Sequence, residues 1–389
     1  KICGMSAFIK CLFPIVLLTL VSCQSEPIEL RLLVDYQARI KRLLDIDDNR
    51  EKVSDDSVLI PINYPESRSL KRPVKTISIG WRDFFASLDC PSMQSLIGQR
   101  NTVAGKHPDD AVALLYELQL KHAWHHCRVK ANHFSNQLPE KPPKNSSEKL
   151  PDKLKLQLNK KLTQFDREVW NRTWAGNYWQ TLLSNNRNRD EFNQPSVLKV
   201  ISAMRQIRRA VQAKPEKNVN RNELYSAFKT IEQNKGRLGQ LIFLITEHDR
   251  VLRQTNRLLT LRVDSICPQN IKTRQAEYLA RVLNKFYLSK VQRQQNKLIE
   301  SFQQLKTELL QWQPFFPNKK SMQNDHFNHW QQWLYSVTGS TDRAGADQIG
   351  FGEELGKGLD KRLVDTIQQH VVIWQKLSNQ CQLNLTPKA

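Results

Sequence analysis

"TRQAEYLARVLNKFYLSKVQRQQNKLIESFQQLKTELLQW" is the chain from Thr273 to Trp312. Its apolar residues recur in steps of three and four, which is typical of one face of an amphipathic helix. They are Leu279, Leu283, Phe286, Leu298, Phe302, Leu305, Leu309 and Trp312. Pro314 and Pro317 follow and end the pattern, because proline cannot continue a helix. About ten turns of this spacing predict a long helix that packs in a bundle.

The same spacing recurs along much of the chain. It is visible in "EPIELRLLVDYQARIKRLLDI" near the start, in "RNELYSAFKTIEQ", in "LGQLIFLITEHDRVLRQTNRLLTLRVDSIC" and in "LVDTIQQHVVIWQKLSNQC" at the end. The 389 residues include 13 glycines, about half the usual share, and a sheet protein would need more of them for its hairpin turns. The sequence therefore predicts an all-α protein, an elongated helical bundle with long amphipathic helices.

Local signals add detail to this fold. Asp109 and Asp110 precede a long helical pattern, and carboxylates favour the positive end of a helix dipole. Trp170, Trp174 and Tyr178 recur at every fourth residue, so we expect them to share the core face of one helix, with a ligand platform as the alternative.

Two proline-rich segments interrupt the helical patterns and suggest a domain organisation. The first follows the N-terminal helix, and the second, "NQLPEKPPKNSSEKLPDK", contains four prolines. We predict a signal peptide over residues 1–22, a lipidated N-terminal helix and irregular tether over 23–75, and a helical domain over 76–389. A subdomain break is expected near 138–152.

The N-terminal residues resemble a bacterial lipoprotein signal. The apolar run "CLFPIVLLTLV" follows Lys10 and has about half the length that a membrane-spanning helix needs. "LVSC", which ends at Cys23, resembles the lipobox, in which a peptidase cuts before a lipidated cysteine. Gln24 stands where lipoproteins of the inner membrane usually carry Asp. We therefore expect Cys23 to anchor the chain in the inner leaflet of a Gram-negative outer membrane, facing the periplasm; the alternatives are an ordinary cleaved signal or a short membrane anchor.

Removal of the signal peptide and lipidation of Cys23 would leave four of the seven cysteines. They are Cys90, Cys127, Cys267 and Cys381. An even number in an oxidising compartment suggests two disulfides, for which three pairings are possible. Sequential pairing is the simplest of the three, and buried thiols are the alternative.

The formal net charge of +21 limits the choice of partners. A basic periplasmic surface attracts anionic lipid, lipopolysaccharide phosphates or an acidic envelope protein, and no nucleic acid is expected as a partner. A solvated helical surface without a ligand would have the same composition.

The segment "GQRNTVAGK", Gly98–Lys106, resembles a phosphate-binding loop only superficially. Such a loop needs a first glycine where Arg100 stands, and Ser or Thr where His107 stands. "GFGEELGKG" likewise lacks the third glycine and the strand of a dinucleotide site. The polar residues Arg100, Asn101, Thr102 and Lys106 remain candidates for a functional site, with a structural turn as the alternative.

Three histidines have a spacing that could suit a metal ion. His122, His126 and His133 are spaced to lie along one stripe of a helix, and pairs one turn apart can bind zinc or copper. The Glu of H-E-x-x-H is missing, so no metal and no cofactor is predicted. No G-x-S-x-G serine or distinctive carboxylate pair nominates a catalytic residue.

Several segments together resemble an uncharacterised bacterial lipoprotein family, domain of unknown function 3080. They are "LVDYQARIKRLL", "LDCPSMQSLIGQRNTVAGK", "LLYELQLKHAWHHC", "SICPQN" and "HVVIWQKLSNQC". Thr102 and Ala104 stand where the family pattern tends to have Ser and Leu, and the histidines at 122, 125 and 126 are not part of it. The resemblance implies the envelope location and the disulfides, and it implies no activity.

The sequence thus favours a non-catalytic envelope protein that binds a partner or an anionic envelope component. One alternative is an enzyme with its site around Arg100, Asn101 and Lys106. Another is a periplasmic metal binder that uses the histidine stripe.

Overall fold

The computed structural model confirms the all-α prediction. It describes residues 27–46, 63–75, 90–100, 109–136, 152–184, 191–316, 325–339 and 357–383, with the backbone alone at 128–136, 152–154 and 325–326. No strand occurs within these ranges. No helix in them is long and apolar enough to cross a membrane.

The helices are numbered in chain order. They are α1 (Ile28–Leu43), α2 (Ser67–Leu70), α3 (Pro91–Arg100), α4 (Asp110–Asn136), α5 (Asp152–Leu162), α6 (Phe165–Arg172), α7 (Asn177–Leu183), α8 (Gln194–Gln212), α9 (Arg221–Gln233), α10 (Arg237–Ile266), α11 (Arg274–Val282), α12 (Gln292–Leu310), α13 (Asp325–Thr338) and α14 (Leu359–Cys381). A π-helix, Leu283–Val291, joins α11 to α12. Short 3₁₀ turns cover Pro268–Asn270 and Gln313–Phe315.

Helix α10 lies at the centre of the bundle. Its most extensive contact is with α14, and it also packs against α1 and α12. Helix α8 packs against α12 and α10, and its hairpin partner α9 packs against α4 and α7. Residues of α10 such as Leu241, Leu244 and Leu252 are completely buried, as expected for a helix surrounded by others.

Two disulfides connect the cysteines in the sequential pairing. Cys90 is bonded to Cys127 and Cys267 to Cys381, with Cα atoms 5.9 and 5.5 Å apart. The first joins α3 to α4 within a small apolar cluster that is separate from the main core. The second joins the C-terminal ends of α10 and α14. The prediction of two disulfides is therefore confirmed.

The long helix predicted from Thr273 is present, but its register differs from the prediction. In the π-helix the buried positions are Leu283, Tyr287 and Val291, whereas Phe286, which we expected in the core, is only half-buried. A π turn has one more residue than an α turn, so the core face advances by four residues at each step. The sequence pattern of threes and fours could not reveal this local change of period.

The predicted aromatic stripe is divided between two helices. Trp170 and Trp174 are completely buried in the core, as expected. Helix α6 ends at Arg172, so Tyr178 lies on α7, where it is half-buried and donates a hydrogen bond to Asp109 Oδ2 at 2.7 Å. The prediction of one helical face was wrong because the chain turns at Thr173. Asp109 caps α4, accepting from the backbone of Ala111 and Val112, which confirms the predicted helix start.

Candidate functional site

The candidate polar segment begins where α3 ends. Arg100 is the last residue of α3 and is exposed, and its guanidinium carbon lies 5.6 Å from the ring centre of Tyr116 on α4. Asn101, Thr102 and Lys106 lie outside the described residues. The Cys90–Cys127 disulfide fixes α3 against α4, and this connection brings Arg100 next to Tyr116.

Two buried carboxylates share one lysine beside this arginine. Lys161 Nζ lies 2.8 Å from Glu117 Oε1 and 2.5 Å from Glu168 Oε1. Burial raises the pKa of Glu117, and the Lys161 ammonium opposes that rise, as does the more distant Arg100. The three side chains come from α4, α5 and α6, so no sequence spacing could have predicted that they meet.

The ion pairs continue from Glu168 to the start of α4. Arg172 Nη1 lies 3.4 Å from Asp110 Oδ1, and Arg172 Nε lies 4.0 Å from Glu168 Oε2. Asp110 Oδ2 also accepts a hydrogen bond from the backbone of Asn177 at 2.9 Å. We name Glu117, Lys161, Glu168, Arg172 and Asp110 the α4–α6 ion cluster.

The α4–α6 ion cluster satisfies its charges internally. Each carboxylate has a cationic partner within it. Burial, followed by the negative charge of Glu117, raises the pKa of Tyr116 to about 12, so this phenol is neutral at pH 7. The arrangement therefore stabilises the packing of α4, α5 and α6 and presents Arg100 as an exposed cation beside them.

The histidine stripe was a second candidate. His122 Nδ1 lies 2.6 Å from the carbonyl oxygen of Pro215, and its ring is stacked on that of His126 with centres 6.4 Å apart. The side chain of His133 is outside the described part of the structure. Within that part, no group of three or more His, Cys, Asp or Glu side chains could hold a metal ion. The stripe makes one contact that the sequence could not predict, to the loop between α8 and α9.

The main core contains a buried polar network that has no recognisable motif in the sequence. It centres on His370 of α14, whose Nδ1 lies 2.6 Å from Asn256 Oδ1 on α10. His370 Nε2 lies 3.0 Å from both the Tyr36 hydroxyl on α1 and the Trp374 indole nitrogen. Asn256 and Trp374 impose the tautomer: Nδ1 donates to the amide oxygen, and Nε2 accepts from the indole and the hydroxyl.

The electrostatics of this network keep the imidazole neutral. Burial lowers the pKa of His370 to about 3, because a cation inside the core would have no solvent around it. Burial likewise raises the pKa of Tyr36. The Tyr287 ring lies 4.5 Å from the His370 ring, so α1, α10, α14 and the π-helix meet at this point. The only sequence signal was a lone histidine within an apolar pattern, which does not distinguish such a network from an exposed residue.

Comparisons with known proteins complete these observations. No curated protein and no solved structure matches this sequence. A family model matches residues 33–385, which is most of the chain and runs from within α1 to beyond the second disulfide. The chain therefore belongs to the family described as protein of unknown function DUF3080.

Proposed function

We propose that this protein is a periplasm-facing lipoprotein, anchored in the outer membrane through Cys23, whose helical body binds an anionic component of the cell envelope without catalysing a reaction. The lipobox-like sequence ending at Cys23 supports the anchor. An oxidising compartment is consistent with two disulfides in one chain. The formal charge of +21 supports an anionic partner.

One observation carries the binding proposal: four of the five buried acidic side chains in the described residues are paired with a cation inside the fold, so their charges do not offset the cationic excess of the chain. Four of the buried carboxylates have a cationic nitrogen within 3.0 Å. They are Glu117, Glu168, Asp249 and Glu308. The chain has 59 basic and 38 acidic residues, and these four carboxylates face cations within the fold, so the net positive charge is carried by other Lys and Arg residues.

Two other functions have weaker support. An enzyme with its site around Arg100, Asn101 and Lys106 would draw on the exposed arginine, but the neighbouring carboxylates are already ion-paired. A metal binder would use His122 and His126, whose stacked rings are one turn apart. The Nδ1–H of His122 donates to the carbonyl oxygen of Pro215, which leaves the lone pair of Nε2 as the atom that could bind a metal.

The anchor is tested by fractionation of cells that express Cys23→Ala. The unacylated variant is expected in the soluble periplasmic fraction, because only the lipid chains anchor the protein strongly. Ser22→Ala is the matched control, since it keeps a small residue before the cysteine and should remain in the membrane. Retention of Cys23→Ala in the membrane under high salt would contradict the anchor.

Binding is tested separately with the mature chain carrying Cys23→Ser. At low salt it should associate with anionic phospholipid vesicles, with lipopolysaccharide or with a protein from an envelope extract, and not with zwitterionic vesicles. Failure to bind any of the three would contradict the proposal. Metal analysis of the same protein, purified without a His-tag, tests the third function, which requires stoichiometric zinc or copper.

A further inference from the structure

One helix face carries a concentration of positive charge. Between Glu277 and Glu300 the sequence contains no acidic residue. Five basic residues in this interval are exposed. They are Arg281, Lys285, Lys290, Arg293 and Lys297, which we name the basic row.

The π-helix aligns the basic row. The buried positions of this stretch advance in steps of four through Leu283, Tyr287 and Val291. Lys285 and Arg293 each follow a buried position by two residues, which is the opposite side of the helix. In a regular α-helix a step of four rotates by about 40° each time, so such a row would wind around the axis. The wider π turns counteract this rotation and keep the cations on one exposed face.

Four of the five cations in the basic row lack compensating carboxylates; the fifth, Arg281, is near Glu277. Lys285, Lys290, Arg293 and Lys297 form no ion pair within the described part of the structure. Glu277 at one end pairs with Lys272 at 2.9 Å, and Glu300 at the other end accepts a hydrogen bond from Gln194 at 3.1 Å. Charge on this face is therefore available to an external anion.

The basic row runs alongside α1 toward the start of that helix. The pairs Gln275–Leu43 and Tyr36–Tyr287 show that α1 and this stretch are antiparallel. Arg39 of α1 lies over Phe286, 3.9 Å from its ring centre, and is bonded to Asp35.

The far end of the row lies near the first turn of α1. Phe192 donates its backbone N–H to Glu29 Oε1 at 2.8 Å, and its neighbour Gln194 bonds to Glu300, one turn beyond Lys297. Cys23 is five residues before Ile28 in the sequence, so their Cα atoms are at most about 18 Å apart. An anchor at Cys23 would thus hold the membrane surface close to this end of the row.

We propose that the basic row is the surface by which the helical body lies on the anionic phospholipid headgroups of the membrane; this rests on the proposed function. The row extends over roughly 24 Å, which is long enough to span several headgroups but too extended to enclose a single phosphate. Exposed lysines and arginines near an anionic bilayer each strengthen binding by roughly fivefold. Tyr278, which is 52% exposed beside Arg281, adds an aromatic side chain suited to the headgroup region.

The test uses the mature chain with Cys23→Ser, so that acylation does not contribute, and vesicles of phosphatidylglycerol and phosphatidylethanolamine at low salt. The test variant is Lys285→Glu/Arg293→Glu/Lys297→Glu. The matched control is Lys214→Glu/Lys217→Glu/Lys229→Glu, which makes the same charge change at exposed positions around the α8–α9 hairpin. Circular dichroism and intact disulfides establish that both variants fold.

The test variant should lose about a hundredfold or more in vesicle affinity, because three favourable charges are removed and reversed. The control variant should lose less than about tenfold. Equal losses in the two variants would overturn the assignment of this face and leave the anionic-binding proposal intact. Absence of vesicle binding by the parent chain would also overturn the assignment of the basic row. If that chain still bound lipopolysaccharide or an envelope protein, the proposed function would stand.

Discussion

The substitution His248→Leu should reduce the sensitivity of this protein to acid. His248 lies on α10 and is completely buried, and neither ring nitrogen has a hydrogen-bond partner among the described residues. Burial lowers its pKa to about 4 from an ordinary value near 6.5. The folded protein therefore keeps this imidazole neutral at a pH where the unfolded chain protonates it.

The sign and size of the effect follow from proton linkage. Between pH 6.5 and about 4 the unfolded state binds a proton that the folded state does not, so stability falls as the pH falls. Each pH unit costs about 1.4 kcal/mol per histidine when protonation of the unfolded state is complete. Allowing for partial protonation at the ends, His248 should account for about 2 kcal/mol of the loss between pH 7 and pH 4.5.

The measurement is the free energy of unfolding by urea at several pH values between 4.5 and 7.5. His248→Leu should be nearly as stable as the parent at pH 7, because a buried apolar residue of similar volume replaces it. Between pH 7 and pH 4.5, the free energy of unfolding should fall by about 2 kcal/mol less in the variant than in the parent. Curves that stay parallel over this range would refute the assignment of a buried, neutral His248.

His370 provides the matched comparison. Burial lowers its pKa to about 3, so His370→Leu should also reduce the loss of unfolding free energy that occurs as the pH falls. This variant, however, leaves Asn256, Tyr36 and Trp374 without their bonds to the imidazole. It should therefore be less stable than the parent at pH 7, at about 1 kcal/mol or more for each orphaned group.

Two further predictions concern the covalent and ionic connections of the core. Replacing Cys267 and Cys381 with Ser should lower the free energy of unfolding by about 5 kcal/mol, because their bond closes a loop of 114 residues. Replacing Cys90 and Cys127 should lower it by about 4 kcal/mol, because that loop has 37 residues. Urea unfolding measures both losses, and a larger loss from the shorter loop would contradict this order. Arg208→Met should cost about 3 kcal/mol or more, since it removes the guanidinium 2.7 Å from the buried Glu308 carboxylate. Adding Glu308→Leu should restore most of that stability in the same assay, and an additive loss would contradict the pairing.

The all-α fold class follows from local sequence patterns. The structure shows at which positions these patterns also predict the helix boundaries and the buried face correctly. Asp109 starts α4 as predicted because helix capping depends only on neighbouring residues. Phe286 was misplaced because a π turn changes the period without any sequence marker. The prediction for Tyr178 was wrong because the spacing of four residues continues across the turn between α6 and α7, where Gly176 precedes the first residue of α7.

The candidate site was predictable only in part, for a different reason. The polar segment pointed to Arg100, but the side chains that surround it, Tyr116 and Glu117, come from another helix, α4. A sequence reveals candidate site residues when they lie on one helix, because the helix fixes their spacing, as it does for His122 and His126. Groups that meet across three helices, such as Tyr36, Asn256 and His370, leave no spacing to recognise.

The sequence by itself determined the helical class, the start of α4 and much of the core, since these depend on hydrophobic periodicity and local capping. It also suggested which four cysteines are available, while three pairings remained open. Only the tertiary structure decided which pairing occurs, which carboxylates share Lys161, and which cations are left facing outward as the basic row. These are contacts between residues far apart in the chain, and packing in three dimensions, not sequence spacing, brings them together.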